Sequence, residues 1–236
     1  MFEVRNISFS YARPVLRDVS FVVSPGETVA ILGANGAGKT TLLRVLATLA
    51  VPGSGKVLSD GQDAFSAPIK YRRQLGYLPE LTALYEDMTV KEYLSYRANL
   101  KGEPARRIRR RIGEAAEICR IADGQMRAVI RNLSSGQKKR VALADALLLR
   151  PRVLLLDDFL AGLDGDMRRS AGEILSDAAA FSSVIVTGHE IDDLMKWTTR
   201  FLILRDGVIS ASISASGTDA SDLRARIDEA LDGGDE

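Results

Sequence analysis

The chain has 236 residues, 46% hydrophobic and 27% charged, with a formal net charge of +1. That balance describes a globular protein with ample residues for a core and excludes a strongly basic nucleic-acid binder, so no nucleic-acid partner is expected. A single cysteine, Cys119, excludes an intramolecular disulfide and suits a reducing compartment.

No stretch reaches the ~18 uninterrupted apolar residues of a membrane span. The opening MFEVRNISFS lacks a basic-then-apolar leader. The expected location is the cytoplasm, peripheral to a membrane only through a partner.

Residues 2–32 read as β structure: EVRNISFS and VSFVVS alternate, and ETVAIL is a short buried run. Helix signals run from Gly38 to about Leu49, and GKVLS and QLGYLP are strand-like. Thr89 and Glu92 have capping-box spacing and open a helix through about Leu100. Pro104 suits a first helical position. Behind it Ala105, Ile108, Ile112, Ala115, Cys119 and Ala122 recur on one helical face. The five arginines of RRIRRR, 106–111, fall largely between them.

A helix is expected from Ser135 to about Leu149, then RVLLLDD as a strand, a helix near 166–180, SSVIVTG as a strand and a helix near 190–198. RFLILRDGVISAS reads as a hairpin turning on Asp206-Gly207. The stretch from Asp219 to Glu236 holds seven acids against two arginines. Its expected structure is at most a short amphipathic helix with Leu223, Ile227 and Leu231 on its apolar side, and a fraying DGGDE end. Strands alternating with helices imply an α/β protein with a mainly parallel sheet. The expected division is a core of residues 1–79 and 136–215 with an N-terminal antiparallel β subdomain, a helical insertion at 80–135, and a tail at 216–236.

GANGAGKT, Gly33 to Thr40, matches G-x-x-x-x-G-K-S/T between a strand and a helix. Glycines let backbone N–H groups wrap a phosphate, and the following helix adds its positive end. Gly33, Asn35, Gly36, Ala37, Gly38, Lys39, Thr40 and Thr41 are the candidate phosphate contacts. Lys39 would reach the β- and γ-phosphates, and Thr40 would ligate Mg²⁺. The pattern arises by chance in roughly one chain in a hundred of this length, and the strand–loop–helix setting makes a mere glycine-rich turn a poor account. VLLLDDF ends an apolar strand on two carboxylates. In P-loop proteins such an Asp holds Mg²⁺ beside the loop, and Asp157 fits. Read alone, a helix N-cap after the strand is the alternative, and the neighbouring P-loop weakens it. LSSGQ, Leu133 to Gln137, is a second phosphate-cradle candidate, with serine hydroxyls and free N–H groups at the positive end of a long helix; read alone it is more often just an N-cap.

With LSSGQ upstream of VLLLDD, the sequence resembles the ATP-binding subunits of ATP-binding-cassette (ABC) transporters over about residues 1–215. GANGAGKT is like the Walker A motif, LSSGQ the signature motif, VLLLDD Walker B and AGLD, 161–164, the D-loop. His189 in VTGHE looks like the switch histidine and Tyr11 like the adenine-stacking aromatic. LGYLPE, 75–80, occupies the place of the Q-loop. The resemblance implies a P-loop NTPase core that uses ATP and Mg²⁺. It implies two such subunits, as homodimer or heterodimer, clamping ATP between the P-loop of one and Ser135, Gly136 and Gln137 of the other. It also implies a polytopic permease as membrane partner.

Two residues depart from the family pattern. Asp158 stands where the family usually has the glutamate that polarises the attacking water. The side chain is one methylene shorter, and a misplacement of about 1 Å costs on the order of 100-fold in rate. Slow hydrolysis is the expectation. Glu80 stands where the family most often has Gln; it can accept at Mg²⁺ or water but adds charge near the γ-phosphate. The candidate catalytic residues are Asp158, His189 and Glu80, and the candidate Mg²⁺ ligands are Thr40, Asp157 and Glu80.

GYLPELTALYEDMTVKEYL resembles the branch serving exporters with separate membrane subunits. Leu81, Leu84, Tyr85 and Met88 suit either a groove for a partner's helix or internal packing. The competing readings are an ATP-operated clamp with weak hydrolysis and a soluble cassette ATPase not tied to transport. GTPase function is disfavoured by the lack of an N-K-x-D segment.

Overall fold

In chain order the strands are β1 (Phe2–Ser10), β2 (Pro14–Val23), β3 (Thr28–Leu32), β4 (Ser54–Ser59), β5 (Gln62–Asp63), β6 (Leu75–Leu78), β7 (Val153–Leu156), β8 (Ser183–Thr187), β9 (Arg200–Arg205) and β10 (Val208–Ser214). The helices are α1 (Lys39–Leu46), α2 (Pro68–Arg72), α3 (Val90–Leu100), α4 (Ala105–Ile118), α5 (Ser135–Leu147), α6 (Gly165–Ala179), α7 (Ile191–Leu194) and α8 (Ala220–Asp232). The computed structural model describes residues 1–163 and 165–233, the side chains of 165–167 excepted. Asp164, which closes AGLD, and residues 234–236 at the end of the acidic stretch lie outside the described residues.

The antiparallel sheet has the order β2-β1-β4-β5, and the larger sheet β10-β9-β3-β8-β7-β6. In the larger sheet only the β10–β9 pairing is antiparallel among the described residues. Its central strands, TVAIL, VLLL and SVIVT, are buried along their whole length, as parallel strands covered on both faces must be.

Side-chain alternation divides those strands between two cores. Val29, Ile31, Val153, Leu155, Ile185, Leu202 and Leu204 join α1 and the antiparallel sheet. Ala30, Leu32, Leu154, Leu156, Val184, Val186, Phe201 and Ile203 join α3–α6 and α8. Each Val, Leu, Ile or Phe among them contributes about 1.5–3 kcal/mol when fully buried, so both cores pull the sheet into one register.

Local signals account for the helix ends. Thr89 accepts from the Glu92 N–H at 3.2 Å, and Glu92 accepts from the Thr89 N–H at 2.8 Å, closing the expected capping box. Pro104 departs from expectation. It is the residue before α4, with φ −58° and ψ 134°, and the helix starts at Ala105. Its extended ψ serves the turn out of Gly102. The expected α4 face also stops short, because the helix ends at Ile118 and Arg120 turns to φ 55°. Ile121 is buried in place of the exposed Ala122.

The region expected as one helix near 190–198 holds only the four residues of α7 followed by turns. α2, one turn led by Pro68, was not anticipated. The hairpin turn is as expected, with Asp206 at φ 46° and Gly207 at φ 79°. Residues 220–232 are more than a marginal tail helix. Leu223 and Ile227 of α8 are buried in the helical-side core, and the Arg205 guanidinium donates to the carbonyls of Ala230, Leu231 and Gly233, satisfying the orphan acceptors of the helix end.

Candidate nucleotide site

Parallel strands deliver the candidate residues to one place. β3 leads into Gly33–Gly38, β7 into Asp157 and Asp158, β8 into Gly188 and His189, and β6 toward Glu80. All leave from carboxyl ends, where α/β sheets bind ligands. There Asn35, Gly36, Gly38, Lys39, Thr40, Thr41, Glu80, Asp157, Asp158 and His189, with Val15, Thr187 and Gly188, line a cavity of about 390 Å³. Gly33 and Ala37 lie instead behind the loop, around a separate cavity shared with Arg205, Asp206 and Leu231.

The loop depends on glycine at two points. A Cβ on Gly33 would stand 2.2 Å from the Leu204 carbonyl oxygen. Gly38 has φ 105°, and a Cβ there would meet Leu16 at 3.0 Å. α1 begins directly behind Gly38 with no side-chain cap and no acid in its first turn. Its free N–H groups and positive end therefore face the cavity. Lys39 folds back, donating to the carbonyls of Gly33 at 2.6 Å and Ala34 at 3.0 Å. Burial pulls the Lys39 pKa down, against the opposing pull of Asp158 and Asp157.

Asp157 is 2% exposed. Its Oδ1 accepts from the Thr187 hydroxyl at 2.9 Å and the Thr40 hydroxyl at 3.2 Å. Its Oδ2 and the Oδ1 of Asp158 are buried without a hydrogen-bond partner among the described residues. Burial pushes the Asp157 carboxyl above the usual range, and Asp158 adds to this while the two hydroxyls act against it. The Asp158 carboxyl is likewise pushed up, chiefly by burial and then by Glu190, with His189 and Lys139 opposing. Asp158 has φ 44°, and its N–H donates to Thr187 Oγ1 at 2.9 Å. Thr187 thus holds the Asp157 carboxylate and the backbone of Asp158. It was missed in the sequence, although it sits two residues before His189 in VTGHE.

Orphaned buried carboxylate oxygens beside a threonine hydroxyl fit a divalent cation. Among the described residues no cluster of three or more His, Cys, Asp or Glu forms a metal cage, so such a cation would need phosphate oxygens as further ligands, as Mg²⁺ does.

The remaining candidates lie outside this cavity. Tyr11 is 58% exposed and packs edge-on to Phe9 at 4.8 Å. In LSSGQ, Ser134 caps α5: its hydroxyl accepts from the Gln137 N–H at 3.2 Å, and its N–H donates to the Gln137 side chain at 2.9 Å. Ser135 starts the helix and lines a second cavity of about 230 Å³ with Lys138, Lys139, Glu86 and Glu80; Gly136 is buried. Glu80 belongs to both cavities. Of the apolar set, Leu84 and Met88 pack against the core while Leu81 and Tyr85 are exposed.

The family model described as ABC transporter matches residues 16–161. An uncharacterised ABC transporter ATP-binding protein of Bacillus subtilis, YxlF, is 33% identical over 89% of this chain and 70% of its own length. The sulfate/thiosulfate import ATP-binding protein CysA of Mesorhizobium japonicum is 35% identical over 87% of this chain. The chain spans 61% of that relative's length. A solved ATP-binding subunit of an ABC transporter superposes with a TM-score of 0.83 at 28% identity, covering 97% of this chain and 99% of that one. Sequence motifs, sheet order and relatives agree: the chain belongs to the ABC transporter family, as an ATP-binding subunit with the fold of an ABC ATPase cassette.

Proposed function

We propose that the chain binds MgATP in the cavity at the carboxyl ends of β3, β6, β7 and β8 and hydrolyses it to drive an exporter. One observation carries the site: an uncapped helix start and Lys39 face the buried Asp157 and the half-buried Asp158, each with one orphaned buried oxygen, across a single cavity. The loop N–H groups and Lys39 hold the phosphates, Lys39 exchanging its loop carbonyls for phosphate oxygens. Thr40 and Asp157 would hold Mg²⁺, with Glu80 lining the same cavity; the ion would offset the charge of the phosphates. Asp158 orients the attacking water, and His189, exposed on the cavity wall, reaches toward the γ-phosphate. Tyr11, exposed and outside the cavity lining, would stack on the adenine.

Ser135, Gly136 and Gln137 do not line this chain's own loop cavity. That supports their use on the ATP of a second subunit, homodimeric or heterodimeric, closing as a clamp. Among the described residues no helix is long and apolar enough to cross a membrane, which supports a separate permease and a peripheral place at the membrane's inner face. The exporter reading rests on the resemblance of GYLPELTALYEDMTVKEYL. The CysA relatives are named for import, so the direction stays a proposal. Residues 80–135 would act as the signature subdomain, between a core of 1–79 and 136–215 and the stretch 216–236. Asp158, one methylene short and at a left-handed φ, favours a second reading in which hydrolysis is slow and ATP-driven closure is the output.

The test is Lys39→Ala. Removing a charged donor costs about 1.5–3 kcal/mol, so ATP affinity should fall roughly 10- to 150-fold, measured by nucleotide fluorescence titration, and ATP-dependent pairing should disappear with it. Unchanged affinity would overturn the site.

A further inference from the structure

Lys139 belongs to no motif that pointed to the site. It lies one helical turn beyond Ser135 on α5, and its Nζ leaves that helix for the turn after β7. There it donates to the carbonyls of Asp158 at 3.2 Å and Ala161 at 2.9 Å. The other ties of the Asp158–Leu163 turn are the Asp158 N–H to Thr187 Oγ1 at 2.9 Å, the Phe159 N–H to the Thr187 carbonyl at 3.4 Å, Ala161 N–H to Asp158 O at 3.2 Å, Leu163 N–H to Leu160 O at 3.2 Å and Arg168 Nε to the Leu163 carbonyl at 3.4 Å. Lys139 adds a charged donor that reaches the Asp158 carbonyl from outside the turn. Asp158 sits at φ 44°, an uncommon region for a residue other than glycine, though one Asp adopts more readily than most. A partly buried ammonium gripping the carbonyl of that residue helps hold it there. The charge also suits the place, because Asp158, Glu190 and Glu80 all act on Lys139 from three separate segments.

From this geometry we infer that Lys139 is a positioning residue, through which the start of α5 sets the placement of the Asp158 carboxylate. The inference rests on Asp158 acting in hydrolysis. It adds a route between the two ends of the mechanism. Ser135–Gln137 would contact the ATP of a second subunit, and Lys139, on the same helix, grips the turn that carries this subunit's own catalytic carboxylate. A shift of α5 on closure is passed to Asp158 by two hydrogen bonds rather than by contact with nucleotide.

The experiment compares wild type, Lys139→Met and Lys139→Arg in the full chain. Met keeps the stem and removes the donor; Arg restores a donor able to reach both carbonyls. A misplacement of about 1 Å at the reacting centre costs on the order of 100-fold, so Lys139→Met should lower kcat about 10- to 100-fold with KM for ATP within about twofold. Lys139→Arg should recover most of the loss. Amide exchange in residues 157–163 should quicken in the Met variant, with residues 33–40 unchanged. Wild-type kcat in Lys139→Met overturns the inference. So does a fall in nucleotide affinity parallel to kcat, or exchange that quickens throughout the fold, since either marks a merely structural role. If the wild type shows no turnover, the hydrolysis reading fails. The inference then stands on the exchange pattern, and unchanged exchange at 157–163 sinks it separately.

Discussion

Two buried aspartates show how this fold treats negative charge in opposite ways. Asp145 on α5 is 8% exposed and surrounded by donors of its own chain. Arg97 lies 2.9 Å and the Tyr93 hydroxyl 3.3 Å from Oδ2, and Lys101 lies 2.7 Å from Oδ1. Asp157, at 2% exposure, has only two neutral hydroxyls on one oxygen and no hydrogen-bond partner on the other among the described residues. The first carboxylate is paired internally and joins α3 to α5. The second is desolvated with only partial compensation, which a fold keeps where something from outside completes it. The contrast supports the proposed Mg²⁺-binding role of Asp157 without reference to any motif.

The contrast breaks most visibly at Asp145. Asp145→Ala leaves Arg97 and Lys101 without their acceptor in a partly buried place, and removing one partner of a buried pair costs about 3–5 kcal/mol. Denaturant unfolding should show that loss, and a change under about 1 kcal/mol would mean that the network is only surface decoration.

Asp157→Asn should do the reverse. Stability without nucleotide should hold or rise, because the amide takes the same place without an unpaired charge. ATP turnover in Mg²⁺ should fall on the order of 100-fold or more. The pH dependence sharpens this. Burial holds the Asp157 carboxyl above its ordinary value of 3.8, so in the window above 3.8 the native state keeps a proton that the unfolded state has lost. Stability from this group therefore falls as pH rises through that window. Melting curves of wild type and Asp157→Asn, without nucleotide, should diverge in favour of Asn from about pH 4 upward. A constant gap would contradict the reading.

The smallest effect concerns Asp158. Glutamate would add the missing reach, but at φ 44° a longer acid loses the local tolerance that Asp and Asn have there. Asp158→Glu should therefore raise kcat by only about tenfold, about 1.4 kcal/mol in barrier. A large drop would refute the argument from side-chain length.

The legible parts of this chain were those written within a few consecutive residues. The Gly33–Thr40 loop, the Thr89–Glu92 cap and the Asp206–Gly207 turn each depend on local backbone chemistry, and each stands where the spacing put it. Asp145 was illegible because its partners lie 44 to 52 residues away on another helix. Lys139 was hidden for the same reason, as its carbonyl partners are 19 and 22 residues distant and carry no side-chain signature. α8 read as marginal because a helix of that length gains its stability from docking, and nothing in its own residues announces the Arg205 guanidinium that receives its end. Pro104 was misplaced by one position because proline suits both the last extended residue and the first helical one.

The pleat of β7 has a chemical outcome. Leu154 and Leu156 face the helical side, while Val153 and Leu155 face α1. Asp157 continues that rhythm and arrives at Thr40 on α1, whereas Asp158 breaks it with a left-handed turn and ends near Lys139, Glu190 and His189. Two chemically identical neighbours are thereby sorted to different surroundings, one among hydroxyls and the other among charges. The division of labour proposed for them follows strand geometry, so exchanging those roles would require rebuilding the strand rather than replacing a side chain.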